Sequence, residues 1–143
     1  MRFKWFFILF VLATAIGIAM LLPYAHAIAR EVRKCRDAFP RDLARLEEHL
    51  RNGDMEGVYS MCTSDLRQST DPQTLGNLNY WLVPSGVARL APCGAWSSFG
   101  LQAQWVDPTG RPVSAARLQF LWEEEQNRLH RVPGVIDVRS GGR

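Results

Sequence analysis

The sequence predicts an α+β domain behind an N-terminal membrane-spanning helix. Three observations predict it: an uncharged apolar run near the start, helical apolar spacing in the first half, and alternating apolar residues in the second half. About three helices are expected to pack on a curved antiparallel sheet, because helices must cover one sheet face to bury their stripes. The expected organisation is 1–27 as a transmembrane anchor or signal peptide, 28–40 as a juxtamembrane helix, 41–139 as the α+β domain and 140–143 as a tail.

Met1 to Lys4 is a short cationic start, and Trp5 to Leu22 is an uncharged run of 18 residues. A helix of that length spans about 27 Å, close to the hydrocarbon core of a bilayer. Membrane lipid is therefore the expected partner of residues 5–22. Pro23 follows, then Ala25 and Ala27 at the spacing of a signal-peptidase site. Two outcomes stay open: an uncleaved single-pass anchor, or cleavage after Ala27 and export of a soluble domain. Either way the domain is expected outside the cytoplasm, on the periplasmic side. Arg30, Arg33, Lys34 and Arg36 oppose that orientation, since cations prefer the cytoplasmic side. They read as a solvated stretch near lipid head groups.

Without Arg2 and Lys4, the 17 Lys and Arg become 15, against 14 Asp and Glu. A net of +1 cannot displace the counterions that nucleic-acid binding requires, so a nucleic-acid partner is not expected. Cys35, Cys62 and Cys93 form no CxxC, and no His or Cys stands at zinc-ligand spacing, so neither metal nor cofactor is expected. Outside the cytoplasm one disulfide and one spare thiol are expected, with Cys62–Cys93 preferred and Cys35–Cys62 the alternative. A loop of about thirty residues would contribute roughly 3 kcal/mol.

Ile28 to Phe39 reads as helix, interrupted at Pro40. Leu43, Leu46 and Leu50 then give a helix over Arg41–Asn52, ended by Gly53. Asp54 is the natural cap of the next helix, which carries Val58, Met61, Cys62 and Leu66. Asp71-Pro72 starts a further helix with Leu75, Leu78, Trp81 and Leu82, ended by Pro84 and Gly86. Leu101, Ala103 and Trp105 then alternate with Gln102 and Gln104. Asp107-Pro-Thr-Gly110 is a turn. Leu118, Phe120 and Trp122 alternate next, Glu123–Asn127 is a polar turn, and Leu129–Val132 and Val135–Val138 close the sheet around Pro133-Gly134.

The layout resembles the nuclear transport factor 2-like (ketosteroid-isomerase-like) cone fold over about residues 40–138. The resemblance is carried by Leu46-Glu-Glu-His-Leu50-Arg-Asn-Gly53-Asp54-Met-Glu-Gly-Val58-Tyr59, by Gly94-Ala-Trp96-Ser, and by Glu125-Gln-Asn127-Arg-Leu129-His-Arg-Val132. Asn127 and Leu129 stand where that family's closing strand usually has glycine and tryptophan. The resemblance implies a fold shared by isomerases, dehydratases, ligand binders and structural modules, so it does not choose among them.

His130, in an expected strand, is the most interesting titratable residue, with an outward strand position as the plain alternative. Asp107 reads as a turn residue, Asp137 as an exposed strand residue, His49 as part of a solvent-facing helix surface and His26 as part of the cleavage region. Tyr59, Trp81, Trp96, Trp105 and Trp122, with His130, are the candidates for lining a ligand pocket; core packing is the plain alternative. No catalytic signature stands out. The expectation is a non-enzymatic, membrane-anchored domain that binds a partner protein or a small apolar ligand. The alternatives are a structural accessory subunit of an envelope complex and a small isomerase-like or dehydratase-like enzyme.

Overall fold

The computed structural model describes residues 2–77 and 87–132. Among the described residues the fold is α+β: one long helix, three short ones and an open four-stranded antiparallel sheet. Helix α1 is Arg2–Arg51, followed by α2 Met55–Ser60, α3 Ser64–Ser69 and α4 Pro72–Asn77. The strands are β1 Arg89–Ala95, β2 Gly100–Val106, β3 Leu118–Glu123 and β4 Gln126–Arg131, ordered β1-β2-β3-β4. The chain divides into two compact units, 1–34 and 35–143.

The first unit is the N-terminal part of α1. Its apolar side chains, Trp5, Phe6, Leu9, Phe10 and Leu21 among them, are exposed to the surroundings. An 18-residue window of this helix has a mean hydropathy of 2.6 and none of it is buried, a pattern compatible with a single-pass membrane anchor or a signal sequence.

The second unit begins within α1 at Cys35. The expected interruption at Pro40 does not occur, because α1 continues to Arg51. An internal proline costs a helix about 3 kcal/mol. Against that stand Cys35, Phe39, Leu43, Leu46 and Leu50, all buried on one stripe of the same helix. Each large apolar side chain contributes about 1.5–3 kcal/mol when fully buried, so the stripe outweighs the proline. The helix stops at Gly53, where φ is +67°, a conformation glycine adopts without a Cβ clash.

Asp54 caps α2 as its position predicts, its side chain accepting from the Gly57 N–H at 3.0 Å. Val58, Met61, Cys62 and Leu66 are all buried. They do not share one helix, however. Between α2 and α3 the chain runs alongside β4: Leu129 N–H donates to Met61 O at 2.8 Å and Thr63 N–H to Leu129 O at 2.9 Å. This short parallel bridge covers the β4 edge and takes hydrogen bonds that helix continuation would have used. Thr63 then caps α3, and Asp71 accepts from the Thr74 N–H at 2.7 Å at the start of α4. Leu78, Tyr80, Trp81, Leu82, Pro84 and Gly86 lie outside the described residues, as do Pro133 to Val138.

In the sheet, Leu101, Ala103 and Trp105 are buried against the helices, with Leu118, Phe120 and Leu129. Phe120 meets Phe39 edge-on, ring centroids 5.2 Å apart. The β3–β4 turn is narrower than the polar run Glu123–Asn127 suggests. Only Glu124 and Glu125 turn, with φ of +52° and +59°, and Asn127 is a buried strand residue. Two successive positive φ values match the twist that a two-residue hairpin needs. Strand β1 is fastened to α1: Leu90 N–H donates to Glu47 Oε2 at 3.0 Å, and Arg51 donates to Ala88 O.

Candidate functional site

Strand alternation separates two faces. The face opposite Leu101 and Ala103 carries Gly100 and Gln102 of β2, Leu121 of β3, and Arg128 and His130 of β4. Gly100 pairs with Leu121, and Leu121 with Arg128, so these three form one row across the sheet. Trp96 lies against Gly100 of that row. A Cβ at Gly100 would stand 2.4 Å from the Trp96 ring, so the glycine is what lets the indole lie flat on the strand. The turn that delivers it is closed by Trp96 N–H donating to Gly100 O at 3.1 Å.

Trp96 remains 44 % exposed. Its ring stacks on the His130 imidazole, centroids 6.2 Å apart and planes 14° from parallel. His130 Nδ1 in turn lies 3.3 Å from the Thr63 hydroxyl, which is buried and holds the start of α3. Arg128 donates to Ser60 O at 2.8 Å and pairs with Glu124. The result is a half-exposed indole seated on Gly100 and stacked on an imidazole.

Among the described residues expected to line a pocket, only Trp96 and His130 come together. Trp105 is 3 % exposed in the core with the Arg51 guanidinium 5.5 Å from its ring centroid. Trp122 and Tyr59 pack against that core, and the Tyr59 hydroxyl donates to Arg67 O at 3.0 Å. Trp81 lies outside the described residues. The plain core-packing alternative therefore describes Trp105, Trp122 and Tyr59.

The expected Cys62–Cys93 disulfide is not formed, nor is Cys35–Cys62; all three thiols are unpaired. Cys62 sits beyond β4, bridged to Leu129, whereas Cys93 bulges from β1 between Pro92 and Gly94. The whole sheet lies between them. Neighbouring strands are about 4.8 Å apart, so the two cysteines sit well past the roughly 7 Å that a disulfide can bridge. Burial pushes the Cys62 thiol up to about 12. Burial also raises Cys35, where neighbouring Arg36 opposes the shift, and raises Cys93. Thiolates are the reactive form, so a maleimide near neutral pH should label half-buried Cys93 first, and Cys35 and Cys62 only after denaturation. A mass shift per cysteine with and without urea checks this. Above 9.0 the unfolded Cys62 ionises while the folded one stays protonated toward about 12, so stability should fall as pH rises through that window.

The carboxylates sort by geometry. Asp107 is a turn residue: its Oδ1 accepts from the Thr109 hydroxyl at 2.6 Å and from the Arg111 N–H at 2.9 Å, and these bonds hold its carboxyl below the ordinary value. Asp54 is lowered by the Gly57 N–H and then by His49, whose Nδ1 is 2.8 Å away. Asp137 lies outside the described residues.

Asp42 is the residue that sequence reasoning missed. It is 2 % exposed within the apolar stripe of α1, and Asn127, at 1 %, faces it from β4. Asp42 Oδ2 accepts from Asn127 N–H at 2.9 Å and from Asn127 Nδ2 at 3.0 Å, while Arg41 donates to Oδ1 at 3.1 Å. Asn127 Nδ2 also donates to Cys35 O at 2.8 Å, and the Cys35 thiol to Asn127 Oδ1 at 3.1 Å. Every polar atom of the Asn127 side chain is engaged. This is a latch between helix and sheet, with its donors and acceptors used up.

Comparison with protein-family models, curated proteins and solved structures finds no match to this chain.

Proposed function

We propose that this chain is a membrane-anchored, non-enzymatic domain that binds a partner protein through the Trp96 face of its sheet. The observation that carries the reading is the fixed, half-exposed Trp96, stacked on His130 and seated on Gly100. Trp is among the side chains that dominate protein interfaces, and Trp96 is 44 % exposed. A held indole loses little rotamer freedom on binding, which favours affinity. The small-ligand alternative has less support, since Trp105, Trp122 and Tyr59 pack the core. The enzyme alternative has less too, since Asp42 is consumed in a latch, Asp107 in a turn and Asp54 in a cap.

Residues 5–22 stay in the membrane in this reading, and the domain stands on the extracytoplasmic side, as the signal-like layout suggests. Membership of the nuclear transport factor 2-like fold is part of the same proposal, supported by the helix–Gly53-Asp54–helix junction followed by an antiparallel sheet. A second reading puts the domain on the cytoplasmic side. It is favoured by Arg30, Arg33, Lys34 and Arg36 outnumbering Arg2 and Lys4, and by the three unpaired thiols.

A photo-crosslinking residue at Gln102, beside Trp96 on the same face, tests the binding claim in intact cells. One discrete adduct is expected. Trp96→Ala should reduce it by about tenfold or more, the loss typical of an interface anchor. Gly100→Ala should do the same by displacing the indole. An adduct that both variants leave unchanged would refute the reading.

A further inference from the structure

We propose that the helix face carrying Arg30, Arg33 and Lys34 docks on anionic phospholipid head groups. The inference rests on the anchor reading above and adds a lipid preference to it. The chain is uncharged from Trp5 through Ala29, and the helix runs through this stretch without a break. Trp5 and Tyr24 are 19 residues apart, about 28 Å at 1.5 Å per residue, so one aromatic falls near each boundary of a hydrocarbon core roughly 30 Å thick. Both rings are exposed, as aromatics at a lipid–water boundary must be.

Arg30 comes six residues after Tyr24, about 9 Å further along the axis and so at head-group depth. Arg33 and Lys34 follow at i+3 and i+4, which places all three cations on one side of the helix. All three are exposed. Glu31 pairs with Lys34 at 2.8 Å and offsets one charge, leaving a surplus of two within this turn and a half. Arg36 follows two residues on and Asp37 offsets it, so the surplus stays at two. A cluster of this size beside a membrane helix is the pattern that selects anionic lipid. At the N-terminal end Arg2 and Lys4 lie before Trp5 and serve as an internal control.

The test uses the full chain reconstituted into nanodiscs of phosphatidylcholine with a minority of phosphatidylglycerol. Lipids retained on the protein are then counted by native mass spectrometry. The wild type should hold phosphatidylglycerol about threefold above its bulk share, the enrichment expected from a few cations at the surface. The triple variant Arg30→Gln, Arg33→Gln, Lys34→Gln should lose most of the enrichment, and Arg2→Gln, Lys4→Gln should lower it less. Retention at the bulk ratio by the wild type, or enrichment untouched by the triple variant, overturns the inference while the anchor stands. Protein that an alkaline wash strips from the lipid overturns the inference and the anchor together.

Discussion

Asp42→Ala is expected to destabilise the domain by about 3–5 kcal/mol, the loss typical when one partner of a buried polar pair is removed. The substitution takes away the acceptor of Asn127 N–H and of one Asn127 Nδ2 hydrogen, both in the interior. Each buried donor left unsatisfied costs roughly 1–3 kcal/mol. A domain of this size has a total stability of about 5–15 kcal/mol, so the loss is a large share of it. Asp42→Asn keeps an acceptor and nearly the same volume and should lose markedly less. Urea unfolding of the detergent-solubilised chain, followed by sheet circular dichroism, checks both. An Asp42→Ala midpoint equal to wild type would show that the latch carries no stability.

Phe120→Ala is the second large effect, also about 3–5 kcal/mol. Phe120 is fully buried and packs edge-on against Phe39. Removing its ring forfeits the transfer free energy and leaves a cavity between α1 and β3 that a proline-containing helix turn is poorly placed to fill. Phe120→Leu, which preserves most of the volume, should lose less than half as much. Phe120 packs on Phe39, one helix turn from Asp42, so in the same unfolding experiment the double variant Asp42→Ala, Phe120→Ala should depart from the sum of the single losses by about 0.5–3 kcal/mol.

The element types were legible where the local chemistry was unopposed. Trp5–Leu22, the Gly53-Asp54 junction, Asp71-Pro72 and the Leu101–Trp105 alternation each declare themselves through charge absence, backbone freedom, capping or period. What stayed hidden was decided by tertiary contact. Pro40 signals a break, and only the sheet beneath Phe39 and Leu43 overrides it. Met61–Thr63 sits in a helical pattern and leaves it because Leu129 offers strand hydrogen bonds. Trp96, Trp105 and Trp122 look alike in the sequence, and only register separates the indole that faces out from the two that face the core.

Two signals for the latch were nevertheless present. Asp42 occupies a position between Phe39 and Leu46 on the buried stripe, where a charge needs a partner. Asn127 alternates with Leu129 and so must share its inward face. The cysteine pairing failed for a different reason: loop length says nothing about which sheet edge each cysteine reaches.

The most direct measurement is intact mass spectrometry of the protein recovered from membranes after alkaline extraction. The account predicts that the 16.2 kDa chain stays in the membrane pellet with residues 1–27 attached. A soluble product shortened by those residues, or a full-length chain released into the wash, would contradict it.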